Sequence, residues 1–368
     1  MPYPQFDRTK IKMKPLAERR NRAEIETVRV LPTDAPRDLS PVAKSIIADF
    51  AARIRQARKA SKPVMLTFGA HTIKNGLAPV LICLMEKDWV THLATNGAGI
   101  IHDWEFAWQG ATSEDVRANV AAGEFGLWSE TGFYLNLALL VGAFEGQGYG
   151  ESIGAMIHRG QLTIPSSDEL EKIIADNVRN NPELAAGALD LLAALRAFDI
   201  QPGVMRIPHP FQQYSVQAKA FELNVPFTAH PMFGHDIIYT HPLSSGAAIG
   251  RAAQRDFLTF ADSVSRIGGG VYISIGSAVM SPMIFEKSLS MAQNLALQAG
   301  RHITNHSILV VDLAPSNWDW SHGEPPQNNP EYYLRYNKTF ARMGGYMRYL
   351  PADNRDFLLA LCRELVIT

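Results

Sequence analysis

Short apolar runs ending in glycine alternate with long stretches of helical periodicity, and no other feature constrains this chain so strongly. Val64 to Gly69 reads VMLTFG, too short for a helix and closed by glycine, as a strand buried on both faces should be. Ahead of it, Ser40 is placed to cap a helix that starts at Pro41 and carries apolar residues at Val42, Ile46, Ile47, Phe50 and Ile54. A helix from Ile73 to Glu86 follows, then WVTHLATNGAG, a strand and its glycine turn. Helical patterns come next near 131–145, 168–178, 183–197 and 213–222. VPFTAH, GGGVYISIGS and SILVVDLA read as further strands, with helices at Ala247–Arg266, Pro282–Ala299 and Asp353–Leu365. Strands alternating with long helices predict a doubly wound α/β fold, one parallel sheet with helices on both faces.

The first forty residues differ in character. They are rich in Lys, Arg and Pro and read as a basic N-terminal extension, 1–39, that lies over the body or a neighbouring subunit, or else forms a mobile tail. Residues 40–368 are then expected to form a single α/β domain. With 35 Lys+Arg against 36 Asp+Glu, the balance argues against a dedicated nucleic-acid binder. Cys83 and Cys362 lie in apolar helical runs that suggest neither a disulfide nor a zinc cluster, which points to a reducing compartment. The start shows no apolar signal segment, and the most apolar stretch, Leu135 to Phe144, is half a membrane span. A soluble, cytoplasmic protein without a membrane partner is expected.

Open α/β sheets bind ligands beyond the carboxyl ends of their strands, so the glycine-rich segments FGAHTIKNG, TNGAGIIHD and IGGG are the first candidates for a pyrophosphate cradle. No GxGxxG stands between a strand and a helix. A second cluster, AHPMFGHDIIYTH, groups His230, His235, Asp236 and His241. It suits a polar loop with one or two substrate contacts; the alternative is a divalent-metal hydrolase, although the spacing fits no standard zinc pattern. A third cluster sets Asp312, Asp319, Glu324 and Glu331 among Trp318, Trp320, Tyr332, Tyr333 and Tyr336. Carboxylates beside aromatic faces suit an amine cation, and subunit contacts have the same composition.

Taken in order, these segments resemble deoxyhypusine synthase, distantly, over most of Pro63 to Leu361. The resemblance rests on Phe68 to Gly76, on HLATNGAGIIHDW, on VPFTAHPMFGHDII and on the triple glycine Gly268, Gly269, Gly270. It ends on PEYYLRYNK, where Lys338 takes the place of the family's catalytic lysine and Tyr336 that of its tryptophan. The resemblance implies an NAD-dependent transferase. A hydride leaves a polyamine-like donor, a lysine imine holds the aminoalkyl group, and an acceptor amine receives it. Lys338 is then the nucleophile, with His102 or His235 moving protons. Asp236, Asp319, Trp318, Trp320, Glu324 and Tyr336 bind the amine. Cofactor contacts fall to Ala70, His71, Thr95, Asn96, Gly97, Ala98, Asp103, Gly268, Gly269, Gly270, Asp312 and Asp353, with no metal. A homotetramer with sites between subunits is implied too. The chain departs from the family in lacking a His-His pair after the triple glycine, in Ile101-His102-Asp103 where two acids are usual, and in Ala70-His71 where Ser-Asn is usual. A non-catalytic protein that binds a nucleotide or polyamine is the remaining alternative.

Overall fold

Six parallel strands carry the architecture: β1 (Val64–Phe68), β2 (His92–Thr95), β3 (Phe227–Ala229), β4 (Val271–Ile275), β5 (Ser307–Asp312) and β6 (Tyr346–Pro351). They lie side by side as β6-β5-β4-β1-β2-β3. The computed structural model describes residues 3–367. All five residues of β1 and all five of β4 are buried, which is why their sequences run apolar without alternation. This is the doubly wound α/β fold expected from the sequence.

The residues group into two compact units. One comprises Met1–Thr27, Ile100–Ala218 and Pro231–Arg255; the other comprises Val28–Gly99, Lys219–His230 and Asp256–Thr368 and holds the whole sheet. In the sheet unit, one face packs Met65, Tyr272, Ile308 and Val310 against Phe260, Phe285, Trp320 and Phe340. The opposite face is covered by the helix Pro41–Lys59, which buries Ile46, Ile47, Phe50 and Ile54, and by the helix Asn354–Cys362. Each such large side chain contributes roughly 1.5–3 kcal/mol by leaving water. Ser40 caps the first helix as expected, its hydroxyl accepting from Ala43 N at 3.1 Å.

In the other unit the helices Ser129–Glu145, Tyr149–Arg159, Ser167–Asn177 and Pro182–Ala197 pack with an antiparallel ribbon, Gln161–Ile164 against Gly203–Arg206. The apolar stretch 135–144 lies within the first of these, a helix hydrophobic nearly all round because it is buried nearly all round. No helix among the described residues is long and apolar enough to cross a membrane.

Several expected elements differ. The helix 73–86 is two, Ala70–Lys74 and Ala78–Glu86. Between them Gly76 takes a left-handed φ of 77°, and a β-carbon there would meet the Val28 carbonyl oxygen at 2.2 Å. The helix 213–222 begins as a 3-10 turn, Gln212–Tyr214, and becomes α-helical from Val216. The segment 1–39 is divided between the two units, and its described part is no free tail. Leu16 and Ile25 are buried, and Ala23–Glu24 pairs with Ala111–Thr112.

Candidate functional site

From β1 the chain moves outward on one side through β2 to β3, then returns to place β4 against the other side of β1. Counted from the β3 edge the order is 3-2-1-4-5-6, the arrangement that binds dinucleotides at the reversal point. That point is the crevice at the carboxyl ends of β1 and β4. There Gly69 N donates to Ile275 O at 3.0 Å, and Gly276 N to Val311 O at 2.9 Å. A β-carbon on Gly69 would stand 2.2 Å from Gly276 O, so only glycine lets the two backbones close to this distance. Gly276 itself has a left-handed φ of 54° with open space where a side chain would project. After it Ser277 Oγ accepts from Ser281 N at 3.1 Å, at the start of the helix Met280–Gln298.

Most expected cofactor contacts stand at the carboxyl ends of this sheet. Ala70 and the exposed His71 open the short helix after β1. Asn96 Oδ1 accepts from Gly99 N at 3.0 Å, capping the helix Gly97–Gln109 that Gly97 and Ala98 begin. Asp312 ends β5 and accepts from its neighbour, Leu313 N. Such a crevice, with a glycine floor, backbone N–H groups at helix starts and a carboxylate one strand away, fits the pyrophosphate and ribose of a dinucleotide.

Other contacts are corrected. Gly268, Gly269 and Gly270 precede β4, so they lie at its amino end, opposite the crevice. Their smallness serves packing, since a β-carbon on Gly270 would meet Pro63 O at 2.4 Å. Thr95 is spoken for, donating its hydroxyl hydrogen to Phe68 O at 2.9 Å. Asp103 is fully buried and accepts from Ser215 Oγ, Val216 N and both nitrogens of Gln217, so it holds the start of a helix rather than a ligand. Asp353 caps the helix Asn354–Cys362 through Arg355 N and pairs with Arg37.

The aromatic segment between β5 and β6 is likewise mostly self-satisfied. Trp320 belongs to the core and donates its indole N–H to Ser316 Oγ; Trp318 donates its own to Gly323 O. Asp319 caps the turn Trp320–His322, and Glu324 is paired with Arg342. Tyr336 packs against the same core and lies 3.5 Å, hydroxyl to hydroxyl, from Tyr349. An amine site built from Trp318, Asp319, Trp320 and Glu324 would have to break these bonds. Lys338 sits on the helix Arg335–Ala341 with its ammonium 3.5 Å from the Tyr332 ring centre, a cation–π contact.

Among the described residues no group of three metal-ligating side chains converges. His230 bonds Thr228 Oγ1, His241 Nδ1 accepts from Leu243 N, and His235 is exposed. Asp236 is different. It is 9% exposed, its Oδ2 has no hydrogen-bond partner, and burial pushes its pKa up to about 7. Tyr239, whose hydroxyl is also buried and unpartnered, has its pKa raised by burial and then by the Asp236 charge. Asn136 donates to Gly132 O and Ile238 O, which leaves its carbonyl oxygen buried and unmatched. Sequence reading misses Asn136, Tyr239 and Gly276. A glycine directly after a strand was the available signal for the last.

No family model matches the chain, and no curated protein matches it. Solved structures are similar at low identity. The arginine dihydrolase ArgZ of cyanobacteria is 13% identical over 88% of this chain and 33% of its own, with a TM-score of 0.41. A LOR/SDH protein from Methanococcus maripaludis S2 is 12% identical over 91% of this chain and 73% of its own, with a TM-score of 0.43. AgrE, solved with ornithine and NAD+, is 14% identical over 89% of this chain and 34% of its own, with a TM-score of 0.42. The chain spans about a third of the length of ArgZ and AgrE. None of the three bears the name deoxyhypusine synthase, so that resemblance stays one of sequence motifs, and the site is read from this chain's own residues.

Proposed function

We propose that this chain is an NAD-dependent enzyme acting on a small amine. The observation that carries the reading is the 3-2-1-4-5-6 strand order with Gly69 and Gly276 at its reversal point. When bound, NAD supplies a hydride acceptor. The residues that would hold it are Gly69, Ala70, Gly276 and Ser277, with Asp312 for a ribose hydroxyl. Asp236, buried and with no partner for Oδ2, is the group whose charge an ammonium would satisfy.

The finer reading is the aminoalkyl transferase that the motif resemblance implies, with Lys338 as nucleophile. For that step Lys338 must leave the Tyr332 ring and lose its proton, since only the neutral amine attacks. The same contact favours a second reading, a protein that binds nucleotide and amine without transferring the group.

Calorimetric titration of the purified chain with NAD tests the main proposal. Binding is expected, and Gly276→Val should weaken it at least tenfold, about 1.4 kcal/mol. No binding at millimolar NAD would overturn it. Borohydride trapping with NAD and a panel of polyamines, followed by peptide mapping, separates the finer readings. An NAD-dependent adduct on Lys338 supports transfer, and binding without any adduct supports the second.

A further inference from the structure

His92 opens β2, His230 directly follows β3, and the hydroxyl of Thr228 in β3 stands between their two rings. Thr228 Oγ1 lies 3.0 Å from Nε2 of His92 and 3.0 Å from Nε2 of His230. On the other side of its ring, His92 Nδ1 lies 2.9 Å from Ser263 Oγ. All four residues belong to the sheet unit, and none is more than 8% exposed. Phe260 packs edge-on to both rings, with centroids 5.5 Å from His92 and 5.2 Å from His230.

Counting hydrogens decides what this row of bonds can be. Burial lowers the pKa of both rings to about 3, so at neutral pH each imidazole is uncharged and carries one hydrogen, on one nitrogen only. The Thr228 hydroxyl has a single hydrogen, which it can give to one ring alone. Toward the other ring its oxygen can only accept. If both Nε2 atoms carried a hydrogen, the Thr228 hydrogen would point at neither ring. If both were bare, one of them would face a lone pair with no hydrogen between. Either fault leaves a buried polar group unmet, which folded proteins avoid.

We infer that Thr228 couples the two rings into one two-state element, in which Nε2 of His92 and Nε2 of His230 are never both protonated and never both bare. In one state His92 donates through Nε2 to Thr228, Thr228 donates to His230, and Ser263 donates to His92 Nδ1. In the other state all three bonds reverse. A group that fixes the hydrogen on any member fixes it on the others, from Ser263 near the end of the helix Gly246–Ser265 to His230 at the carboxyl end of the edge strand. An element with two discrete arrangements is what carries a bias from one part of a fold to another. The inference holds whether or not the chain binds NAD.

Long-range proton–nitrogen-15 NMR of histidine-labelled protein at neutral pH tests it. For each ring the spectrum reports the fraction with hydrogen on Nε2, and His92→Gln and His230→Gln assign the signals. In the wild type the two fractions are expected to sum to one, whatever each is by itself. Thr228→Ser keeps the hydroxyl and should keep that sum. Thr228→Val keeps the shape without the hydroxyl, and the sum should then depart from one. Both rings protonated on Nε2 in the wild type, or both on Nδ1, would overturn the inference, as would fractions left unchanged in a folded Thr228→Val protein. Should Thr228→Val fail to fold, the wild-type and Thr228→Ser spectra decide.

Discussion

Gly69 and Gly276 meet backbone to backbone at the carboxyl end of the sheet, where a β-carbon on the first would lie 2.2 Å from the carbonyl oxygen of the second. The approach joins the first and fourth strands at the point where chain direction across the sheet reverses. Gly69→Ala must push β1 and β4 apart at their ends. A loss of about 1–3 kcal/mol in urea unfolding is expected, the usual cost of overpacking. Gly250→Ala, in an uncrowded helical position, should cost nothing or stabilise slightly.

Acid should unfold this protein early. Burial depresses the pKa of His92 and His230 to about 3, and that of His209 and His241 to about 4, from an ordinary 6.5. These rings stay neutral when folded and gain a proton when unfolded, so their stability is present in full above pH 6.5 and is lost as pH falls below it. Each group contributes a slope approaching 1.4 kcal/mol per pH unit. Asp236, raised to about 7, opposes them between pH 3.8 and 7, but one carboxyl stands against four imidazoles. The urea midpoint is expected to fall continuously from pH 6.5 to 4.5, and His92→Asn should flatten that slope.

The same carboxyl makes an independent prediction. Above pH 7 the folded state must hold Asp236 charged, buried and without a partner for Oδ2. Asp236→Asn removes that charge and should stabilise the protein at pH 8 by about 1–3 kcal/mol. The gain should vanish near pH 4, where the wild-type group is protonated. Any amine that binds there should bind the variant at least tenfold more weakly, about 1.4 kcal/mol by titration calorimetry.

Arg19 and Glu105 are both almost fully buried. Removing one partner leaves the other charge stranded, which costs roughly 3–5 kcal/mol. Arg19→Met should therefore lower thermal stability sharply. It should also make the segment ahead of Thr27 more sensitive to trypsin than it is in the wild type. A variant as stable as the wild type would show that water already reaches the pair.

The layered fold is legible because buried parallel strands leave apolar runs that no surface element produces, as at Val64–Phe68 and Val271–Ile275. Tyr346–Pro351 escapes notice because an edge strand alternates buried and open positions, and its Arg348 and closing proline read as loop. The triple glycine misleads for a geometric reason: letters beside a strand do not say which end of it a ligand approaches. Aromatic residues and acids between Asp312 and Tyr336 look like a binding surface in composition, yet Trp318, Asp319, Trp320 and Glu324 bond Gly323, Ser321, Ser316 and Arg342, pairings only the folded backbone specifies. The Arg19–Glu105 pair joins residues 86 positions apart and leaves no local pattern at all.

The pairing of β1 with β4 also sets a timetable. Val64 waits for Val271, about 200 residues later in synthesis. At ~5–20 residues per second, β1 leaves the ribosome roughly 10–40 s before its inner neighbour exists. β2 and β3 are made in that interval and can close one side of β1, while the apolar edge toward β4 stays open to any other strand. The centre of the finished sheet is thus the seam whose first strand waits longest for its partner, and the place where a nascent chain most needs shielding.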